Sequence, residues 1–456
     1  MTLFDAKDSR PVHFMGIAGA GMSALALIAH RRGVTVSGCD PDPSGAADLV
    51  NLGIHVWQGH DPGHLSGVRA VVVTAAVPHD QPELLKARAL GIPVVPRKEA
   101  LAELVSVGRT VGIAGTHGKS TTTVMTTEAL IAAGVDPTGL AGGRVDSWGG
   151  NARPGADRVF VVESDEYDKA FLALTPSIAV VNNIEPDHME CYGTLEALED
   201  AFATFAGRAE RVLVGGDDAG GQRLAARLGA KAWRFGLAEA EIHITNISQN
   251  SSGSQAEVRL PDGRRITLRL RVPGVHNVRN ATAALGVVAA LGAPLEPALA
   301  ALASYTGLGR RFERLGEVNG VELIDDYAHH PTELVATLAA ARQAFPGRRI
   351  VAVFQPHLYS RTAEHGGAMG LALAAADLVI VADVYGAREQ PVPGISGALV
   401  AQAAERAGAE TVYEPSRPLL TARVHDLIRP GDVVITLGAG DITRVGRELV
   451  QWSPAA

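Results

Sequence analysis

The stretch Gly115-Thr116-His117-Gly118-Lys119-Ser120-Thr121 has the composition of a phosphate-binding loop. It stands between an apolar run, TVGIAG, and a helical run, TTTVMTTEALIAAG. Its glycines let backbone N–H groups close around phosphate oxygens, while Lys119 and the helix N-terminus add positive charge. Ser120 is predicted to place its hydroxyl on Mg2+. The strict GxxxxGK(S/T) spacing needs glycine where the chain has Ile113, so a Gly-rich turn that only caps a helix is the alternative.

Two further polar segments each follow an apolar strand. Four carboxylates within Glu163–Asp168 come directly after VFVV. Crowded carboxylates repel one another and are usually found where a cation neutralises them, so Glu163 is predicted to bind a metal, with a solvated loop as the alternative. The second segment, 182–188, follows the strand SIAVV and ends in His188. That histidine is either structural or a ligand, since α/β sheets bind ligands at the carboxyl ends of their strands.

The N-terminal loop Gly16-Ile17-Ala18-Gly19-Ala20-Gly21 is spaced GxxGxG, close to but different from the dinucleotide pattern GxGxxG. It predicts a diphosphate at the start of the following helix, with Asp40 at the end of the second strand near a ribose. A tight turn that merely packs the helix on the strand is the alternative.

The last third of the chain concentrates titratable groups at two turns. Residues 325–333 read DDYAHHPTE at a strand-to-helix turn, and FQPH at 354–357 follows the next strand. Such density at the ends of parallel strands predicts a second substrate there. Arg310 and Arg311 are predicted to reach a transferring phosphate, although paired arginines on a linker are often only solvated.

The elements that position these residues follow a βα alternation in three series, which predicts an α/β protein with parallel sheets. The first series has strands in PVHFMGIAG, TVSGCD and AVVVTAAV and a helix from Met22 to Arg32 ending at Gly33. The second begins at Arg109, and AEVRL and RRITLRL around Pro261-Asp262-Gly263 predict an antiparallel hairpin hanging off it. The third has strands in VELIDDY, RRIVAVFQ, DLVIVAD and DVVITLGAG and a helix behind Pro331.

Length and composition agree with three domains. The 456 residues exceed one hydrophobic core at roughly 150 residues per domain, and we place the boundaries at 1–108, 109–310 and 311–456. With 46% apolar residues, 20% charged residues and a net charge of -8, the chain is predicted to be globular and not to bind nucleic acid. The N-terminus has no apolar signal region, and no run reaches transmembrane length. Cys39 and Cys191 form no metal-like spacing, so a reducing cytoplasm is predicted.

Taken together, the motifs resemble the Mur ligases in order and over nearly the whole chain: GIAGAGMSALA, GTHGKSTTT, ESDEYD, NNIEPDHM, HNVRNA, RRFERLG, DDYAHHPTE, FQPHLYSRT and GAGDI. The resemblance implies a Rossmann-like N-terminal domain for a UDP-sugar, a P-loop ATPase central domain with a small antiparallel sheet, and a Rossmann-like C-terminal domain for an amino acid. It implies ATP at Gly115, Thr116, His117, Gly118, Lys119, Ser120, Thr121, His276, Asn280 and Arg311, and Mg2+ at Ser120, Glu163 and His188. It further implies the UDP-sugar at Gly16, Gly19, Gly21, Asp40 and Thr74, the amino acid at Tyr327, His329 and Arg361, and catalytic roles for Lys119, His188, Arg311 and His329.

The reaction implied by the resemblance is ATP-dependent joining of L-alanine to the carboxylate of UDP-N-acetylmuramate through an acyl phosphate, in peptidoglycan precursor synthesis and cell wall biogenesis. The partners implied are the small-molecule substrates ATP, UDP-N-acetylmuramate and L-alanine, and neither nucleic acid nor a membrane is expected. The protein is expected to be a monomer or homodimer. No lysine occurs between Lys169 and Lys231, which is similar to the branches that lack a carbamylated lysine. Leu358 stands where many alanine-adding members carry arginine, and DEYD resembles the tripeptide-adding branch.

Three alternatives remain open on the sequence. The tripeptide-adding branch of murein recycling uses the same chemistry with a longer amine. A nicotinamide-dependent dehydrogenase would use the first glycine loop but leaves GTHGKST without a role. A non-catalytic nucleotide switch would hydrolyse ATP slowly and act on a partner protein.

Overall fold

The structure, a computed structural model, describes residues 2–250, 252–387 and 389–451. These residues form two compact units. The first unit takes in the chain up to residue 245 together with 257–268 and 279–303, and the second takes in 246–256, 269–278 and the chain from 304 onward. No helix in the described part of the chain is long and apolar enough to cross a membrane. Cys39 and Cys191 are free thiols.

The first sheet of the first unit is parallel, with strand order β3-β2-β1-β4-β5. Its strands are β1 (Val12–Met15), β2 (Val36–Asp40), β3 (His55–Gln58), β4 (Ala70–Val73) and β5 (Val94–Pro96). Four helices accompany them: α1 (Ala20–Arg31), α2 (Ala47–Asn51), α3 (Pro82–Ala89) and α4 (Arg97–Val105). The strand order reverses between β1 and β4, and the crevice at such a point is where open α/β sheets bind ligands. The loops after these two strands begin with Gly16 and Thr74.

A second sheet, most of which lies in the first unit, is mixed and has ten strands, in the order β15-β14-β13-β12-β11-β10-β6-β9-β7-β8. Its strands are β6 (Arg109–Ala114), β7 (Thr138–Val145), β8 (Gly150–Arg153), β9 (Val159–Glu163), β10 (Ile178–Val181), β11 (Arg211–Gly215), β12 (Ala232–Gly236), β13 (Ile242–Asn250), β14 (Gly253–Arg259) and β15 (Arg265–Leu270). The predicted hairpin is therefore no separate sheet, because β13 pairs parallel to β12 and continues the large one.

Six helices belong to this middle part of the chain: α5 (Lys119–Ala132), α6 (Met189–Tyr192), α7 (Leu195–Gly207), α8 (Ala219–Leu228), α9 (Val275–Ala290) and α10 (Leu295–Ser304). At the centre of the sheet, β6 pairs parallel with β9 and with β10, Ile113 opposite Glu163 and Ala114 opposite Val181. The three strands thus deliver the phosphate loop, the carboxylate segment and the segment from Asn182 to the same edge.

The sheet of the second unit has six strands in the order β16-β17-β21-β18-β19-β20. They are β16 (Glu313–Val318), β17 (Val321–Asp326), β18 (Ile350–Phe354), β19 (Leu378–Val381), β20 (Thr411–Tyr413) and β21 (Val433–Leu437), with helices α11 (Pro331–Ala344), α12 (Tyr359–Leu373), α13 (Ala398–Arg406), α14 (Arg417–Leu427) and α15 (Thr443–Val450). Among the strand pairs of the described residues in this sheet, β16–β17 is antiparallel and the others are parallel. Its turn is Asn319-Gly320, both at positive φ, as a two-residue hairpin requires.

Apolar packing follows this layering. In the first unit, side chains from both sheets join one core that includes Phe14 and Leu25 from the first sheet region and Phe160 and Phe202 from the second. In the second unit, one core lies on each face of the sheet, one around Phe354 and the other around Val353 and Val434. The prediction of an α/β protein with Rossmann-like sheets at both ends is confirmed, and the central sheet is mixed and includes the strands of the predicted antiparallel hairpin.

Candidate active site

The phosphate loop needs its glycines because asparagine side chains and backbone pack directly against it. Gly115 and Gly118 have φ of +130° and +78°, a region that favours glycine. A Cβ on Gly115 would lie 2.9 Å from the backbone N of Asn182, and one on Gly118 would lie 2.6 Å from Oδ1 of Asn280. The loop is therefore closed on both sides, and the predicted ATP residue Asn280 lies against it.

Asn183 fixes the backbone conformation of the phosphate loop. Its Oδ1 accepts a hydrogen bond from the backbone N–H of His117 at 2.8 Å, and its carbonyl accepts one from Thr116 at 3.1 Å. The Thr116 hydroxyl in turn accepts from the backbone N–H of Glu185 at 2.9 Å. These bonds fix backbone groups that would otherwise have to be ordered by the nucleotide, so the loop is preorganised for a phosphate.

Lys119 begins helix α5 and forms a buried ion pair. Its Nζ lies 2.8 Å from both carboxylate oxygens of Glu166 and donates to the carbonyl of Gly115 at 2.8 Å. Burial alone would lower the pKa of Lys119, but the charges of Glu166 and Asp165 outweigh burial and raise it. Lys119 is therefore a permanent cation beside the loop, and its charge is balanced by a carboxylate.

Ser120 and Glu163 meet directly, as predicted metal ligands should. The Ser120 hydroxyl donates to Oε1 of Glu163 at 2.9 Å, and the backbone N–H of Gly142 donates to Oε2 at 2.5 Å. Burial raises the pKa of Glu163. A hydroxyl and a carboxylate are hard oxygen donors, and both residues therefore fit Mg2+.

His188 lies apart from this pair. It caps α6 in the left-handed conformation, with φ of +54°. Its Nδ1 and Nε2 lie 3.6 Å and 3.8 Å from carboxylate oxygens of Glu190 and Asp187, and its ring packs edge-on against Tyr167. Within the described residues no contact joins His188 to Ser120 or Glu163.

A cavity of about 560 Å3 connects the first glycine loop with Glu163 inside the first unit. All five predicted UDP-sugar residues line it: Gly16, Gly19, Gly21, Asp40 and Thr74. Asp40 also accepts hydrogen bonds from the backbone N–H groups of Ala18 and Asp42, each at 3.0 Å. Arg97 lines the same cavity, and a Cβ on Gly21 would lie 2.8 Å from its guanidinium. A cation thus stands over the start of α1, where a diphosphate is expected.

In the second unit, two arginines stack on one tyrosine. The guanidinium carbons of Arg310 and Arg311 lie 4.9 Å and 5.1 Å from the ring centroid of Tyr327. Arg310 pairs with Asp325 at 3.3 Å and donates to the carbonyl of Gly438 at 2.6 Å. The side chain of Arg310 is thus held by groups at the ends of β17 and β21.

His329 follows Tyr327 and is oriented by it. Its Nδ1 lies 2.8 Å from the carbonyl oxygen of Tyr327, which can only accept, so Nδ1 carries the hydrogen and Nε2 keeps its lone pair in the neutral ring. Burial lowers the pKa of His329, and the charge of Glu333 only partly opposes this. The nearby charge of Arg361, on helix α12, also lowers the pKa of His329. His276 lies in the second unit near the start of α9, where its ring fills the space beside Gly274.

Comparison with known proteins identifies the family. Residues 11–109, 113–288 and 310–440 match, in this order, the family descriptions "Mur ligase family, catalytic domain", "Mur ligase middle domain" and "Mur ligase, glutamate ligase domain". A UDP-N-acetylmuramate--L-alanine ligase from Cutibacterium acnes is 44% identical, with 98% of this chain and 97% of that protein covered. The chain belongs to the Mur ligase family.

Other relatives agree with this assignment. The protein named UDP-N-acetylmuramate--L-alanine ligase in Salinibacter ruber is 40% identical over 97% of this Mur ligase and 94% of its own length. The crystal structure of UDP-N-acetylmuramate-alanine ligase from Thermotoga maritima superposes with a TM-score of 0.83 at 30% identity, covering 97% and 98% of the two chains. A murein peptide ligase from Psychrobacter arcticus shares the fold, with a TM-score of 0.71 at 24% identity and 97% and 98% coverage.

As a Mur ligase the chain is an ATP-dependent enzyme that forms a C–N bond. The structure brings Lys119, Ser120 and Glu163 to one edge of the central sheet and gathers the five residues predicted for the UDP-sugar around one cavity. Three site residues had no role assigned from sequence: Arg97, Asn183 and Gly142. Arg97 stands at the start of α4 after Pro96, far along the chain from the first glycine loop, so the local sequence gave no signal of its role.

Proposed function

We propose that this Mur ligase joins L-alanine to the carboxylate of UDP-N-acetylmuramate at the expense of ATP. One observation carries the proposal: a single cavity runs from the first glycine loop to Glu163, whose carboxylate is bonded to Ser120 of the phosphate loop. A sugar nucleotide with its diphosphate at the glycine loop would place its far end beside the phosphate loop. The names of the relatives from Cutibacterium acnes and Salinibacter ruber support the same substrates.

The UDP-sugar would bind with its diphosphate at the start of α1. The backbone around Gly19 and Gly21 approaches it closely, and Arg97 supplies the positive charge that this acidic chain otherwise lacks there. Thr74 and Asp40 lie at the carboxyl ends of β4 and β2, where polar groups can select the sugar and the ribose.

ATP would bind at the loop Gly115, Thr116, His117, Gly118, Lys119, Ser120 and Thr121, with Asn280 beside it and His276 as the further residue implied by the family. On ATP binding, the ammonium group of Lys119 would give up its ion pair with Glu166 and bind the phosphates instead. Ser120 and Glu163, with His188 proposed for a second ion, would hold Mg2+, which neutralises charge on the phosphoryl oxygens. Arg311 is proposed to bind the γ-phosphate.

The reaction would proceed by transfer of the γ-phosphoryl group to the muramyl carboxylate, followed by attack of a neutral amine on the acyl carbon and loss of phosphate. The amine nitrogen must lose a proton. His329 is suited to accept it, because Tyr327 holds its Nδ1–H and leaves the Nε2 lone pair available. Tyr327 and Arg361 are proposed to position the amino acid, Arg361 through its carboxylate.

The domain limits 1–108, 109–310 and 311–456 are proposed as the UDP-sugar, ATP and amino-acid regions. Nucleotide substrates and two free cysteines support action in the cytoplasm.

Phosphate release from ATP, measured with UDP-N-acetylmuramate and one amine at a time, tests the proposal. We expect turnover with L-alanine to require all three substrates and to exceed that with L-serine or glycine. Turnover with L-alanyl-γ-D-glutamyl-meso-diaminopimelate but not L-alanine would assign the chain to the tripeptide-adding ligases. ATP hydrolysis that no amine accelerates would contradict both assignments.

A further inference from the structure

Four metal-binding side chains converge beneath the first sheet of the first unit, away from the phosphate loop. His13 lies on β1, Cys39 on β2, His64 on the short helical turn Pro62–Leu65, and Glu83 on α3. One donor atom from each lies within 4.8 Å of the other three. The side chains of His13 and Glu83 are fully buried, and Cys39 is also buried.

The spacing of these donors suits one tetrahedral ion. Nε2 of His13 lies 3.3 Å from Sγ of Cys39 and 3.0 Å from Oε1 of Glu83. Nδ1 of His64 lies 3.4 Å from the same Glu83 oxygen, and Sγ of Cys39 lies 3.4 Å from Oε2. Four ligands bound at zinc distances of about 2.0–2.3 Å in a tetrahedron are about 3.3–3.7 Å apart. The distances given above therefore lie within a few tenths of an ångström of that range, and every pair of donor residues lies within 4.8 Å.

Neighbouring groups orient the two imidazoles. Nδ1 of His13 lies 3.0 Å from the hydroxyl of Ser37, which directs Nε2 into the cluster. The indole of Trp57 stacks on His64 with ring centroids 4.6 Å apart and an interplanar angle of 18°. Outer contacts of this kind fix the tautomer and ring orientation in metal sites.

Two polar atoms of the cluster are left unsatisfied by the protein. Oε1 of Glu83 and Nδ1 of His64 are buried, and among the described residues neither has a hydrogen-bond partner of suitable geometry, despite the short distances above. A buried carboxylate without full hydrogen bonding is costly unless a cation compensates it. One divalent ion with one thiolate and one carboxylate would be electrically neutral.

We propose that His13, Cys39, His64 and Glu83 bind one structural Zn2+. The thiol proton of Cys39 is released to solvent as the S–Zn bond forms. The mixed sulfur, nitrogen and oxygen donor set selects zinc over Mg2+, and four protein ligands leave no open position for catalysis. The ion would tie β1, β2 and α3 together beside His60, which lines the substrate cavity and lies 3.0 Å from Cys39 Sγ. This inference does not rest on the proposed function.

Titration of the full-length, chelator-treated protein with Co2+ tests the site. Cobalt bound to a thiolate gives a sulfur charge-transfer band, and tetrahedral cobalt gives intense visible bands, so Co2+ at an all-oxygen site near Ser120 would lack both. We expect one equivalent to produce both signals in the wild type and in Cys191→Ser. Cys39→Ser should lose the charge-transfer band, and Zn2+ should displace Co2+ from the wild type.

A stability measurement on the same proteins gives a second test. Zn2+ should raise the Tm of the wild type and of Cys191→Ser, and should leave the Tm of Cys39→Ser and of His64→Asn unchanged, because binding to the folded state alone stabilises it. Absence of the sulfur band from the wild type, or an equal band in Cys39→Ser, would overturn the proposal. If Cys39→Ser does not fold, the wild-type spectrum and His64→Asn decide.

Discussion

Lys119 Nζ lies 2.8 Å from each carboxylate oxygen of Glu166, and the Glu166 side chain is only 2% exposed. The pair keeps the loop lysine charged and positioned before a nucleotide arrives. Glu166 therefore holds the ammonium group of Lys119 in place, and it would compete with the phosphates that we propose Lys119 to bind. Removing either partner alone leaves a buried charge uncompensated.

A single variant at Lys119 and a double variant at Lys119 and Glu166 together distinguish the loss of turnover from the loss of stability. Lys119→Met should lower ATP turnover by about 10³-fold and, because Glu166 is left unpaired, lower the free energy of unfolding by about 3–5 kcal/mol. The double variant Lys119→Met with Glu166→Gln should recover most of that stability but none of the turnover. Phosphate release and urea unfolding measure the two effects. Equal stability of the single and double variants would show that the ion pair does not matter to the fold.

Glu163 is expected to set the requirement for Mg2+. Glu163→Gln keeps the shape of the side chain and one oxygen that can accept from Ser120, but removes the charge that attracts the cation. The Mg2+ concentration for half-maximal turnover should rise by about 10-fold or more. Glu128→Gln is the matched control, because the contact of Glu128 within the described residues is the hydrogen bond that it accepts from Trp148 Nε1 at 2.7 Å. An unchanged Mg2+ dependence in Glu163→Gln would remove Glu163 from the metal site.

Arg97 is expected to bind the diphosphate of the sugar nucleotide. Arg97→Gln should raise the KM for UDP-N-acetylmuramate by about 10–100-fold, the cost of a lost hydrogen bond to a charged group, and leave the KM for ATP within about threefold. Arg88→Gln on α3 is the control, since Arg88 is exposed and donates only to the carbonyl of His79. Equal rises in both KM values for Arg97→Gln would indicate a general loss of structure instead.

The strands that the sequence predicted lie where they were expected, whereas helix starts were predicted less accurately and several short strands were not predicted at all. α1 begins at Ala20 and α5 at Lys119, each two residues before the predicted start, because glycine-rich loops gave no capping side chain to mark the first turn. The consequence for α5 is chemical: Lys119 and Ser120 belong to the first turn of the helix. The hairpin turn Asn319-Gly320 carried a strong local signal that would have predicted β16.

Site residues were predictable where a motif had local chemistry and not where tertiary packing creates the role. Glu163 follows a strand in an acidic segment and could be assigned, whereas Gly142, which donates to it, lies 21 residues earlier on β7. Likewise Arg97 reaches the loop of Gly21 only because β5 pairs beside β4 and delivers α4 there. Neither placement follows from spacing along the chain.

His329 is expected to act as the base for the incoming amine. His329→Gln should lower kcat for ligation by about 10²–10⁴-fold with little change in the KM for ATP. Because burial lowers the pKa of His329, the acid-side fall in the wild-type rate should lie below the pH range in which an ordinary histidine titrates. His365→Gln, on helix α12, is the control and should keep the wild-type rate and pH profile. A rate for His329→Gln within threefold of wild type would contradict the assignment.

Asp326 gives the second unit a defined pH dependence of stability. It accepts hydrogen bonds from the backbone of Phe312 at 2.7 Å and of Ala328 at 2.8 Å. Burial nevertheless raises its pKa from 3.8 to about 6, with the charge of Arg311 opposing. The folded state therefore holds the proton more tightly than the unfolded state. The free energy of unfolding should rise as pH falls from about 7 to 4 and then level off, by about 3 kcal/mol for a shift of two pKa units.

Urea unfolding of wild type and Asp326→Asn at several pH values measures this contribution. The stability of the wild type relative to Asp326→Asn should increase as pH falls through 6, since the variant has no proton to bind. Asp377→Asn provides a control of opposite sign: the hydrogen bond from Arg342 at 2.6 Å lowers the pKa of Asp377, so the wild type should lose its advantage over that variant as pH falls below 4. A constant difference between wild type and Asp326→Asn from pH 7 to 4 would mean that Asp326 is ionised in the folded protein throughout, with its two backbone hydrogen bonds outweighing burial.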